Sequence, residues 1–338
     1  MVRIDRSSRA CALARRVSHL HRFLCLLVLL GLAAPVHAAS LAEVQKAEFE
    51  GKWDDAAAMW SERVQSAATD AEARSAYRGQ LRLLWALRRT DALLRSAEQA
   101  ASRFPDWDEP VVYRARALAE RDLDRALELL ESFAGGSRAA QAERAQLLAE
   151  RGRRTEALEA WKTVAAGPPR NTPFDKFLRS QAAHALGRYQ DASTLVQSAM
   201  AESLGFTDAR VALSLLFQEK YQAQLAADEL NEAARLAPAH PDLQLARAQL
   251  LLLNNQLQNA EMAARDVLAI REDPLARAIL ARLDNISMQP GEALEELTET
   301  LKTRPWFAPA LYAAAVAHYL EGDSAAYQQT LSRIAERD

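Results

Sequence analysis

Residues 187–199 read GRYQDASTLVQSA. A glycine opens the stretch and an alanine stands at 192. A bulky residue follows four positions on, Val196, and a small one seven on, Ala199. One reading is a glycine loop around a ligand. The other is a turn into the second of two packed helices. The second requires the same offsets to recur at a steady period.

They do recur. Ala56 follows GKWDD, Ala157 follows GRRTE and Ala293 follows PGE. The same place is taken by Leu93 in RRTDALL, Ala126 in RDLDRA, Ala226, Ala260 in NQLQNA and Tyr327 in EGDSAAY. With Ala192 this makes nine occurrences, separated by 37, 33, 31, 35, 34, 34, 33 and 34 residues. A bulky residue lies four beyond at Trp60, Leu130, Trp161, Val196, Leu230 and Leu297. A small one lies seven beyond at Ala100, Ala199 and Ala233. A proline lies twelve beyond at Pro105, Pro169, Pro238 and Pro305, where it would end a helix. Between these marks Ala, Leu, Arg, Glu and Gln dominate, and no stretch alternates as a strand does.

The pattern resembles the tetratricopeptide repeat family, a 34-residue helix–turn–helix unit. The aromatic and the Leu–Gly pair of that family's first helix are mostly missing. The glycine place holds Val44, Leu81, Arg114, Ala145, Ser180, Ser214, Ala248, Ala281 and Ala315. The repeats at Leu81 and Arg114 depart furthest; a compact helical bundle is the competing reading. The resemblance implies an all-α, right-handed superhelical solenoid of paired antiparallel helices. It would occupy residues 39–338 as a single domain of about nine helix pairs. No single pair covers its own apolar stripe, so stacking must bury it.

Residues 1–38 read differently. Arg3, Arg6, Arg9, Arg15, Arg16 and Arg22 stand against one acid, Asp5. The apolar run LCLLVLLGLAA follows over 24–34, then PVHA. These are the three parts of a secretory signal peptide cleaved after Ala38. At 11 residues the run is shorter than the roughly 20 needed to span a bilayer. Neither cysteine, Cys11 or Cys25, stands where a lipid acceptor would. A soluble periplasmic protein is expected, without a barrel or enzyme domain after the last helix.

Residues 39–338 contain no cysteine, which excludes disulfides and thiolate chemistry. The whole chain has 42 bases and 45 acids; without the leader's six arginines and one aspartate, 36 bases face 44 acids. That balance argues against nucleic acid as a partner. His184, His240 and His318 are far apart and form no HExxH. No GxSxG, GxGxxG or Walker loop is present. The acids of DWDEP (106–110) and LEELTE (294–299) read as solvated helix faces. No catalytic residue, cofactor or metal is expected.

In the resembling family, peptides bind outward positions of the first helix of each unit. Carried over, the place eleven residues before the central one holds Gln45, Arg82, Gln146, Gln181, Gln249 and Arg282. Trp85, His184 and Tyr319 lie three further on, and Arg78 and Tyr312 lie a turn before Arg82 and Val316. Amides, guanidinium groups and aromatic rings suit an extended peptide or an envelope protein. They would also suit a polysaccharide. The expectation is a non-enzymatic scaffold or adaptor in envelope assembly or secretion. The alternative is a carbohydrate-binding accessory of exopolysaccharide export. Self-association through terminal apolar faces is a further expectation. Trp107 is read as exposed beyond a helix end, and Trp306 as packing the last helix pair with Phe307.

Overall fold

The computed structural model describes residues 39–134, 136–203 and 205–336. The segment read as a signal peptide lies outside them. Residues 40–338 form one compact unit, described on its own. Eighteen helices and no strand occur among the described residues.

The helices alternate as first and second members of pairs. The first repeats are α1 (Leu41–Phe49) with α2 (Trp53–Ser66), α3 (Asp70–Ala86) with α4 (Thr90–Arg103), and α5 (Glu109–Ala119) with α6 (Leu123–Ala134). The middle ones are α7 (Arg138–Glu150) with α8 (Arg154–Ala166), α9 (Pro173–Ala185) with α10 (Tyr189–Glu202), and α11 (Thr207–Glu219) with α12 (Ala223–Leu236). The last are α13 (Pro241–Leu253) with α14 (Leu257–Ile270), α15 (Pro274–Ile286) with α16 (Pro290–Thr303), and α17 (Ala308–Glu321) with α18 (Ser324–Ala335). Each helix packs chiefly on its chain neighbours, and most first helices also pack on the first helix one repeat away. This is a tetratricopeptide-like helical solenoid.

The turn within each pair explains the period. Residues 51, 88, 152, 187, 221, 255, 288 and 322 all have positive φ, between 54° and 76°. Each stands five residues before a central position. In each turn the next residue's N–H donates to the carbonyl five residues back, as Arg188 does to Ala183 and Gln222 does to Phe217. This is a Schellman stop, which satisfies the orphan carbonyls of the first helix and points the chain back along it. Glycine fills four of the eight positions; Arg88, Tyr221, Asn255 and Met288 fill the others. The α5–α6 turn is tighter, with Arg121 and Asp122 both donating to Leu118.

The central residues are the core. Ala56, Ala126, Ala192, Ala226, Ala260 and Ala293 are fully buried, and Leu93 and Ala157 nearly so. Small side chains there let the helices of a pair cross closely, and Leu130, Val196, Leu230 and Leu297 fill the space between pairs. Leu81 is fully buried, so this divergent repeat packs like the others. Arg114 cannot pack as a small residue does; it lies half-buried and pairs with Glu98 at 3.5 Å. Trp107, read as exposed, is 7% exposed instead. Its ring stands edge-on to Phe104 at 5.9 Å, closing the joint between α4 and α5.

The sequence does not announce that the array closes on itself. The turn inside each of repeats one to three meets the loop leaving repeats six to eight. A methyl group built on Gly51 would stand 3.3 Å from the Ala239 Cβ. The Arg271 guanidinium donates to the Ala86 carbonyl at 2.6 Å. Arg304 donates to both carboxylate oxygens of Glu120, at 2.5 and 2.7 Å. Trp306, expected to pack the last pair, instead crosses to Gly152, whose added Cβ would lie 3.4 Å from its Cβ. A complete superhelical turn therefore takes five repeats, and a seam joins its two edges.

Candidate functional site

The bore of this turn is the candidate site. First helices α3, α5, α7 and α11 supply its wall. Tyr113 of α5 has Arg116 over its ring at 5.1 Å. Arg116 also lies 5.1 Å from the Trp85 ring of α3, and Arg88 covers the same indole at 4.1 Å. Cations and aromatic faces thus alternate along the inner wall, each ring holding a guanidinium plane in place.

Burial tunes these groups. Enclosure pushes the Tyr113 hydroxyl up to about 12, slightly offset by Arg116. Asp208 of α11 is close enough to act on the same hydroxyl, although three repeats separate them. Enclosure alone would weaken the positive charge of Arg116. Glu143, 2.6 Å away and 5% exposed, more than restores it and raises the pKa. Glu150, at the end of α7, is exposed to solvent. Enclosure raises its pKa, opposed by a 3.1 Å hydrogen bond from the Gln146 amide. Arg88 and Arg304, from opposite edges of the seam, both act on Glu150.

Two clefts follow the seam. One of about 410 Å³ lies between Trp53, Leu87 and Arg89 on one edge and Ala269 and Ile270 on the other. The larger, about 1050 Å³, lies between Arg88, Thr90 and Glu120 and the α15–α16 edge. Asp284, on its wall, has its carboxyl pushed up by burial and by the nearby charges of Glu296 and Glu292. Among the described residues, no three His, Cys, Asp or Glu side chains gather closely enough to hold a metal ion. Among the described residues no helix is long and apolar enough to cross a membrane.

The sequence-predicted residues divide by register. Those eleven before the central place are open or half-buried: Gln45, Arg82 and Arg282 are exposed, while Gln146, Gln181 and Gln249 are partly covered. Arg82 is engaged by Glu48 at 2.6 Å. Arg78, a turn earlier, pairs with Glu109 at 2.7 Å and lies over Trp107, so it reaches the next repeat. Trp85 is held between Arg88 and Arg116. His184 bonds Glu219 of the next first helix at 2.8 Å. Gln218 and Asn285 share the His184 register and donate to the Ala246 and Ala313 carbonyls. That register therefore faces a neighbouring repeat. Tyr319 shares it, and Tyr312 shares the register of buried Phe177, Val211 and Ala278. In the last repeat both tyrosines are open, at 69% and 57% exposed, so they form an end face apart from the bore.

Reasoning from sequence missed Tyr113, Arg116, Glu143, Glu150 and Asp208. Tyr113, Arg116 and Glu143 signalled themselves only as polar groups on a covered side of a first helix, and Glu150 and Asp208, both exposed, read like any solvated acid. The seam residues Arg271 and Arg304 carried no signal, because the pitch of a superhelix is a sum of small rotations.

No protein-family model matches the chain, and no curated protein matches it. Solved structures do. The Cut9-Hcn1 structure, an APC/C hetero-tetramer, superposes with a TM-score of 0.60 at 12% identity. The match covers 84% of this chain and 56% of that one, so the chain spans a little over half its length. A tetratricopeptide repeat protein from Parabacteroides merdae gives a TM-score of 0.48 at 14% identity, over 81% and 99% of the two chains. TTC0263, a TPR protein of Thermus thermophilus, gives 0.45 at 20% identity, over 54% and 100%. At these identities the likeness is one of fold.

Proposed function

We propose that the protein is a non-enzymatic scaffold whose bore holds an extended peptide segment of a partner protein. One observation carries this reading. Trp85, Tyr113, Arg88 and Arg116 stack along one path, the Gln146 amide bonds Glu150, and Gln181 repeats the register of Gln146 one repeat on. A peptide backbone presents a donor and an acceptor at every residue, and Gln146 and Gln181 amides at repeat spacing match both. The Arg and Trp side chains supply charge-assisted and stacking contacts. The hetero-tetrameric state of Cut9-Hcn1 is in keeping with a protein partner.

The location completes the proposal. The basic, apolar and small-residue pattern of residues 1–38 supports export to the periplasm, hence a role in envelope assembly or secretion. A carbohydrate partner is the second reading, favoured by the same amides and by the aromatic walls. Peptide display on the purified chain, followed by fluorescence anisotropy of the selected peptides and a glycan array, separates the two. Saturable peptide binding that weakens at least several-fold in the Gln146→Ala, Gln181→Ala double variant is expected. Saturable glycan binding with no selected peptide would overturn the peptide reading.

A further inference from the structure

We infer that the seam is a latch, at which the superhelical turn opens and closes and so controls access to the bore. The opening is a property of the fold; its use in admitting a chain rests on the bore being the binding surface.

The joints within the array and the seam are built differently. The described apolar clusters each lie between neighbouring repeats, as Ala248, Val267 and Ile279 do in one and Phe177, Val196 and Leu213 do in another. None of them spans the seam. Helices in extensive contact are always near neighbours in the chain. Among the described residues, contacts across the seam include an ion pair, a guanidinium–carbonyl bond and close approaches at Gly51 and Gly152. Interfaces with little apolar burial part first, well below global unfolding. A slight rotation at each of five joints adds up to a large movement at the edges.

The latch has two limbs of unequal strength. Arg304 and Glu120 keep 21% and 32% of their side chains exposed, so dissolved ions screen this limb. Arg271 is 1% exposed and bonded to Asp273, Asp242 and the Ala86 carbonyl. Screening therefore frees the Arg304 limb first. Trp306 lies beside that limb, against Gly152, and is 45% exposed even when closed.

The test uses the full chain with Cys11→Ser and Cys25→Ser. Spin labels on cysteines at Asp122 and Lys302 report the width of the seam by dipolar spectroscopy. Separately, a single Gln146→Cys reports access to the bore by its reaction with a small and with a bulky polyethylene-glycol maleimide. Two spin–spin distances are expected, the longer gaining population with salt and in Arg304→Glu. The bulky reagent should react about ten-fold more slowly than the small one, and Arg304→Glu should remove most of that difference. The swapped pair Glu120→Arg with Arg304→Glu should restore closure, which separates a latch from a loss of folding. A single distance that neither salt nor Arg304→Glu changes would overturn the latch, as would equal bulky-reagent rates in all three forms. Neither readout involves a peptide, so failure of the binding reading leaves this test standing.

Discussion

Arg271 donates to the Ala86 carbonyl, 185 residues earlier in the chain. Ala86 ends α3, where the carbonyls have no partner within the helix and carry the negative end of its dipole. Arg271 caps that end from the next superhelical turn. Burial works against its charge, but Asp242 and Asp273 overcome this and raise its pKa. Asp273 in turn accepts the N–H groups of Leu275 and Ala276, starting α15.

Replacing Arg271 with methionine leaves the buried Asp273 charge and the Ala86 carbonyl without this partner. Breaking a buried pair from one side costs about 3–5 kcal/mol. Urea denaturation should show a loss of that order. A loss within measurement error would mean that water replaces the guanidinium without penalty, and that the seam is looser than described.

Gly79 lies inside α3, where alanine is ordinarily better by about 1 kcal/mol. Here the sign should reverse. A Cβ on Gly79 would stand 2.2 to 2.5 Å from three ring atoms of Trp60. Trp60 cannot simply swing away, since its indole N–H donates to Glu48 at 2.7 Å. Gly79→Ala is expected to destabilise by about 1–3 kcal/mol. Combining it with Trp60→Leu should recover part of the loss, as measured by a double-mutant cycle.

Tyr221 and Gly187 fill the same turn position with opposite suitability. Tyr221 holds φ at 57° and is 88% exposed, so its side chain contributes little packing against a left-handed backbone. Tyr221→Gly should stabilise, or at worst be neutral, with a shift of about 1 kcal/mol at most. Gly187 has φ 73° and open space where a Cβ would go. Gly187→Ala should therefore destabilise by about 1 kcal/mol through backbone strain alone. Thermal melts of both variants check the pair.

The Tyr113 hydroxyl ionises near pH 12 in the folded chain, because burial disfavours its phenolate. In the unfolded chain it ionises near 10. The folded form therefore holds the proton longer, and this group's contribution to stability falls as pH rises from about 10 to about 12. Ultraviolet titration should show a late phenolate signal that Tyr113→Phe removes. Loss of that signal in Arg304→Glu would further indicate that the opened seam admits water to the bore.

Repeat, turn and central alanine were readable because each is set by local chemistry. Ala192 must be small and Gly187 tolerates a left-handed backbone, so both recur on the period of the fold. Tyr221 and Met288 obscured the turn, since neither residue type suggests positive φ. The register of Gln146 and Gln181 follows from their distance to Ala157 and Ala192, and its face is the one proposed to bind the partner. Arg78, Trp85, His184, Tyr312 and Tyr319 were placed on that face by helical spacing. Whether such a side chain points into the bore or onto the next repeat depends on the angle between pairs, which spacing does not encode. The approach of Arg271 to Ala86 depends on that angle summed over five joints.

The central claim is that partners are held in the bore. The most direct measurement places a photo-crosslinking benzoylphenylalanine at Gln181, in the register proposed to line the bore, or at Glu159, exposed on second helix α8. A peptide selected by display is then irradiated with each form. The expected result is an adduct from Gln181 and none from Glu159. Equal adducts from both, or adducts from Glu159 alone, would contradict binding in the bore.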